Sequence, residues 1–148
     1  METFDRLDSG ASGAVDFAVT LPWERRTRSR QRITLDDGHE ALLVLPRGTV
    51  LRDGDVLVGA HGGRLRVVAA AETVSTAHAE DGARLLRAAY HLGNRHVAVE
   101  IGVGWLRYQH DHVLDDMLRG LGLTVAVEPS PFEPEAGAYA PGHGPGHD

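Results

Sequence analysis

The chain has 148 residues, 42% of them apolar, and a net charge of −6; this is room for one ordinary domain or two small ones with a core, and it excludes a disordered chain. The negative charge argues against non-specific nucleic-acid binding, whose affinity comes from neutralising phosphates, and no apolar run is long enough to span a bilayer. There is no cysteine, which removes disulfides, thiolate zinc sites, iron–sulfur clusters and thiol nucleophiles, and all 15 basic residues are arginine, so a P-loop lysine and Schiff-base chemistry are missing too.

In chain order, Met1-Glu-Thr-Phe-Asp-Arg-Leu-Asp8 carries acids where a signal peptide has a basic and then an apolar segment, which predicts a cytoplasmic protein. Signals are weak up to about Arg28. Residues 32–35 and 41–45 flank Asp36-Asp37-Gly38 as a hairpin. A second hairpin is expected around Asp53-Gly54-Asp55 with 56–58 continuing, and a third turn at His61-Gly62-Gly63 leads into 65–69. This predicts an antiparallel β domain over residues 1–64.

The period then changes. Taking 67–78 as an opening strand, Leu85, Leu86, Ala89 and Leu92 follow at helical spacing, with Glu80 and Asp81 at the start and Gly93 as the stop. Val97, Val99 and Ile101 alternate as a strand, Gly102-Val-Gly104 turns the chain, and Trp105-Leu-Arg-Tyr108 returns it. Asp111 caps a second helix with Leu114, Met117, Leu118 and Leu121 on one face, and 123–127 is the last strand. The order β-α-β-β-α-β predicts an α+β chain whose second domain, 65–128, is ferredoxin-like. Pro129, Pro131 and Pro134 then predict a flexible tail over 129–148.

The nine histidines are the main reactive inventory. His110 and His112 flank Asp111; in an extended segment they share a face and can pinch a divalent ion, with Asp111 to orient or supplement them. The alternative for this pair is two polar residues at a helix entry. His96 stands at the mouth of a strand, where a lone histidine is ordinarily a solvated or capping side chain. A two-fold axis nearby would bring two copies of it together. His91 reads as a cation at a helix C-terminus. His143 and His147 sit in a Gly/Pro context with little structural reason for imidazoles, which points to metal scavenging; the alternative is an incidental chain end. His39, His61 and His78 read as surface residues. Arg25, Arg26, Arg28, Arg30 and Arg32 crowd one segment, as a charged edge strand or as a docking patch for an acidic partner. His-Glu-x-x-His, Gly-x-Ser-x-Gly and Gly-x-Gly-x-x-Gly are all missing, and Asp115-Asp116 most simply serve a helix dipole.

Tyr90-His-Leu-Gly-Asn-Arg-His96 resembles the Gly-Asn-Arg-His signature of the UreE-type urease accessory proteins. The block from Trp105 to Gly122 is similar to that family's next block, Pro131-Phe-Glu-Pro-Glu-Ala-Gly-Ala-Tyr139 to its exit from the domain, and Leu45-Pro-Arg-Gly48 with Leu51-Arg-Asp-Gly-Asp55 to its N-terminal half. The resemblance implies a β domain likened to a peptide-binding chaperone module, then a ferredoxin-like metal-binding domain that forms homodimers. It implies a non-enzymatic carrier that delivers Ni(II) for assembly of the urease metallocentre, working with an accessory GTPase and the urease apoprotein complex. His96 matches the key ligand, one from each subunit; His110 and His112 match further metal-binding histidines. The tail departs from the His-rich pattern, carrying only His143 and His147. The intrinsic order of affinities lets such ligands take Cu(II), Zn(II) or Co(II) as well. Two rivals are a small His-ligated metallohydrolase using His96, His110 and His112 with a carboxylate around a metal-bound water, and an RNA-binding sheet, for which Trp105 and Tyr108 are few aromatics against a negative charge.

Overall fold

The computed structural model describes residues 1–10 and 13–137. The chain divides into two compact units, Met1–Ala70 and Ala71–Asp148. The first is built from β1 (Glu2–Leu7), β2 (Phe17–Leu21), the short helix α1 (Trp23–Arg26), β3 (Arg30–Thr34), β4 (Glu40–Val44), β5 (Val56–Gly59) and β6 (Arg64–Ala69). Its strands form one sheet in the order β2-β6-β5-β1-β4-β3. Alternate residues point to one face, and that face buries Phe4, Val19, Ile33, Leu43, Leu65 and Val67 in a single apolar cluster with Leu45, Leu51 and Leu57.

The turns at 36–38 and 61–63 join antiparallel neighbours, with Gly38 and Gly62 at φ 95° and 85°. The turn at 53–55 forms, with Gly54 at φ 87°, but closes no hairpin. Leu51 before it enters the core instead of a strand, and β5 pairs with β6 and β1. The sheet is mixed where an antiparallel one was expected: β1 runs parallel to β4 and β2 parallel to β6. Both parallel pairings use strands from the weak-signal N-terminal segment, whose partners lie far along the chain, so no local turn dictates their direction.

The arginine run divides by exposure. Arg26 is fully buried; its Nε donates to the Leu21 carbonyl at 3.1 Å and Nη1 to that of Leu51 at 3.3 Å, which is how a buried guanidinium is tolerated. Arg25 donates to Gln31 and to the Arg32 carbonyl, and Arg28 pairs with Glu24. Arg30 and Arg32 face solvent on β3, at the end of the sheet, as suits a charged edge strand.

The second unit contains β7 (Ala71–His78), α2 (Gly82–Asn94), β8 (Glu100–Ile101), β9 (Trp105–Gln109), α3 (His112–Gly120) and β10 (Thr124–Pro131). The strand order β10-β7-β9-β8, antiparallel throughout, is the ferredoxin-like arrangement. The single strand expected over 67–78 is two strands that part at Ala70. Leu65 and Val67 belong to the first core and Ala77 to the second, so the units meet at Ala70/Ala71 and not at 64/65. Asp81 caps α2 by accepting from Ala83 N–H at 2.9 Å. Ala88, Leu92, Leu114 and Leu118 pack on Leu106 and Tyr108 of β9. Arg107 ties the sheet together: it lies on β9, donates to Thr76 of β7 at 2.9 Å, and pairs with Glu100 of β8 and Glu128 of β10.

The segment expected to leave the fold after Glu128 does not. β10 continues through Pro129 to Pro131, paired with β7 down to Ala71. This is possible because β10 is an edge strand and prolines two apart turn both missing N–H groups to the free side. Phe132 and Pro134 are then buried, Glu133 N–H bonds to the Glu100 carboxylate at 3.0 Å, and Glu135 N–H bonds to the Val99 carbonyl at 2.7 Å. His143 and His147 lie outside the described residues. No helix among the described residues is long and apolar enough to cross a membrane. Because Phe132 is fully buried, Phe132→Ala should cost about 3–5 kcal/mol of stability. Urea unfolding measures this, and an unchanged midpoint would mean that residues 132–135 are not part of the folded unit.

Candidate metal site

His96 occupies an unusual backbone position. Helix α2 runs through Gly93, which is helical and not the stop expected of it; the left-handed residue that ends the helix is His96, at φ 59°. His96 N–H bonds to the Gly93 carbonyl at 3.0 Å and Val97 N–H to the Leu92 carbonyl at 3.1 Å. These are the two bonds of a Schellman motif, whose left-handed position is ordinarily glycine. Among the described residues His96 is the one non-glycine with positive φ. Holding a side chain there costs about 1–2 kcal/mol, and such strain concentrates at functional positions. The turn also decides exposure: Val97 and Val99 pack against the core while His96 projects into solvent.

His110 and His112 sit where β9 passes into α3. His112 opens the helix and is exposed. Asp111 does not orient them: its Oδ1 caps α3, accepting from Val113 N–H at 2.8 Å and Leu114 N–H at 3.2 Å. The carboxylate that meets His110 is that of Asp115, with Oδ2 3.1 Å from Nδ1. Its Oδ1 accepts from the Tyr108 hydroxyl at 2.7 Å, and Ser75 Oγ lies 3.1 Å from the same His110 nitrogen. Asp115 is 2% exposed, so the solvated dipole partner expected at this position is a buried acid. Burial, and next the Asp115 carboxylate, raise the Tyr108 pKa and keep the phenol a proton donor. The sequence held one sign of this: Asp115 lies three residues before Leu118 and beside Leu114, on the apolar stripe of α3.

The ferredoxin-like topology carries His96 and the His110/His112 pair to the same end of the domain. Glu100 stands opposite Arg107 in antiparallel register, so going back from Glu100 toward His96 runs alongside going forward from Arg107 toward His110. His91 lies in the last turn of α2 near that end, its ring edge-on to Tyr90 with centroids 5.2 Å apart. His78 lies at the opposite end, in a shallow depression with Glu80, Asp81 and Arg84. Among the described residues no three His, Asp or Glu side chains gather as a metal-binding group.

These features define a two-domain protein, a mixed β sheet followed by a ferredoxin-like unit with histidines at one end. Comparison with known families agrees: residues 4–70 match the N-terminal domain of the UreE urease accessory protein, and residues 72–148 its C-terminal domain. Among similar proteins are the urease accessory proteins UreE of Alkalilimnicola ehrlichii, 60% identical over 91% of this chain and 82% of that one, and of Pseudomonas putida KT2440, 58% identical over 90% and 81%. That of Burkholderia pseudomallei 1710b is 56% identical over 88% of this chain and 64% of its own length. The chain belongs to the UreE family of urease accessory proteins, a family of accessory proteins and not of urease itself.

The backbone at His96 makes a prediction of its own. Glycine relieves the left-handed strain at an entropic cost of about 0.5–1 kcal/mol, so His96→Gly should be at least as stable as the parent. It should exceed His96→Ala by roughly 0.5–1 kcal/mol. Chemical denaturation of the three proteins checks this, and an alanine variant more stable than the glycine one would show that residue 96 is not left-handed in solution.

Proposed function

We propose that this protein is a cytoplasmic nickel metallochaperone that binds Ni(II) through histidines and delivers it for assembly of the urease metallocentre. The observation that carries the reading is His96, a solvent-facing imidazole kept in a strained left-handed turn where glycine would be easier. Family membership supports it, as does the convergence of His110 and His112 on the same end of the domain. In this role Ni(II) arrives through His110, His112, His143 and His147 and settles between two His96 side chains of a homodimer. A site with few protein ligands leaves coordination positions open for a recipient. The ion can then pass by ligand exchange to the accessory GTPase and urease apoprotein complex, where a closed four-ligand site would retain it. Cu(II), Zn(II) and Co(II) compete for the same imidazoles.

The homodimer has support in an apolar surface on the second unit. Leu86 and Tyr90 of α2 are 74% and 67% exposed, and Ile101 and Val103 at the β8–β9 turn are 56% and 100% exposed. Leu86 and Ile101 line a groove of about 360 Å³ together with Leu85, Ala89 and Trp105. Exposed apolar patches of this kind mark association surfaces; a second copy packed along α2, whose far end is the His96 turn, would supply the second His96. The hydrolase alternative requires at least three ligands converging around a metal-bound water, and the described residues form no such group.

Calorimetric titration of the dimer with Ni(II) at neutral pH, beside His96→Ala, tests the reading. One tight site per dimer should be lost in the variant, together with urease activation in cells; full stoichiometry with normal activation would refute it. Because imidazole must be neutral to ligate, the wild-type affinity should weaken as pH falls through the histidine range. A flat profile from pH 8 to 5 would rule out histidine ligation. Leu86→Arg should shift sedimentation toward the monomer and weaken nickel binding with it.

A further inference from the structure

The cluster Ser75–Tyr108–Asp115–His110 has a feature that packing alone does not require, a carboxylate sealed beneath an imidazole. A carboxylate serving only the α3 dipole would do so from solvent, as the neighbouring exposed Asp116 does. Burying one is unfavourable unless its oxygens are paired. Here one oxygen takes the Tyr108 hydroxyl at 2.7 Å and the other faces His110 Nδ1 at 3.1 Å. We propose that Asp115 is a positioning residue that fixes His110 in its Nδ1–H tautomer and so presents the Nε2 lone pair to a divalent cation. The proposal rests on the reading of His110 as a nickel ligand.

The proton placement follows from the partners. A carboxylate only accepts, so the His110 nitrogen facing it must carry the hydrogen. Tyr108 is fully buried and its hydroxyl donates its single proton to Asp115 Oδ1, which leaves Oδ2 for the imidazole. Ser75 Oγ, 3.1 Å from Nδ1, closes the cluster from β7 and in this tautomer is placed to accept a share of the same N–H. The His110 side chain is 37% exposed; with Nδ1 turned inward, Nε2 is the nitrogen left for a metal. Carboxylate–histidine pairs of this kind orient the ring and raise its basicity toward a metal, and removing the carboxylate typically lowers affinity 10–100-fold. The cluster joins three elements, β7, β9 and α3, so the imidazole is anchored to the rigid part of the domain.

The test uses the full chain. Long-range ¹H–¹⁵N NMR of the metal-free protein should show His110 protonated at Nδ1. In Asp115→Asn an amide N–H replaces the acceptor facing the ring, and His110 should swap to the Nε2–H tautomer. Titration with Ni(II) alone should show the His110-dependent step, identified as the one lost in His110→Ala, weakened about 10–100-fold in Asp115→Asn. Tyr108→Phe, which removes the anchor of Asp115 without touching His110, should weaken it by less. An Nε2–H tautomer in the wild type overturns the proposal and needs no variant to fold. So does an Asp115→Asn protein that keeps the step His110→Ala loses. If His110→Ala leaves the nickel isotherm unchanged, the ligand reading of His110 fails and the proposal falls with it, a result distinct from failure of Asp115 alone.

Discussion

Val97 N–H reaches back to the Leu92 carbonyl, and that bond ends α2 and turns the chain toward the sheet. In a split βαβ unit the helix must stop abruptly if the following strand is to pair beside its predecessor's neighbour. Here the reversal takes one left-handed residue. Leu92, fully buried, holds the helix end to the core, and Val97 and Val99 continue along that core. His96, between them, is the residue that cannot be buried. The same turn that makes β8 possible therefore displays an imidazole on a rigid support. Glycine would make the turn at less strain, so histidine there is a choice that the fold does not demand.

Among the described residues two charged groups are buried, and they are satisfied in different ways. Arg26 donates to the carbonyls of Leu21 and Leu51, acceptors fixed by the backbone, and lies over the Trp23 ring. It joins the end of β2 to the segment before β5. Asp115 bonds side chains that can change partners, and one of them, His110, reaches the surface. An anion held by a phenol on one side and a half-exposed imidazole on the other communicates the interior of the domain to its rim. That difference separates a buried charge that braces a fold from one that governs a surface group.

The two junctions bearing His96 and His110 meet because of strand order. β8 and β9 are neighbours and antiparallel, so the start of one and the end of the other share an end of the sheet. The segment from Phe132 to Glu135 returns to the same region through its bond to Val99. In the proposed role this gathers imidazoles on one rim without a closed cage, an arrangement suited to handing an ion on.

The ferredoxin-like order, the cap Asp111, the turns at Gly38 and Gly62, and the family were all legible in the sequence, because each rests on a local period or on a short motif. It did not disclose the parallel pairings of β1 and β2, because direction between strands distant in sequence is decided by the closing of the core. It misjudged 129–135, since a proline is compatible with a strand only when that strand lies at an edge, and edges exist only in the assembled sheet. It placed the helix stop at Gly93, where composition pointed, whereas the packing of Leu92 and Val97 against the core carried the stop to His96. Asp111 was the nearest carboxylate to His110 along the chain, but capping occupied it. Only the packing of α3 against β9 brought Asp115, five residues on, beneath the ring, because a helix turn carries side chains inward by geometry that sequence adjacency does not express.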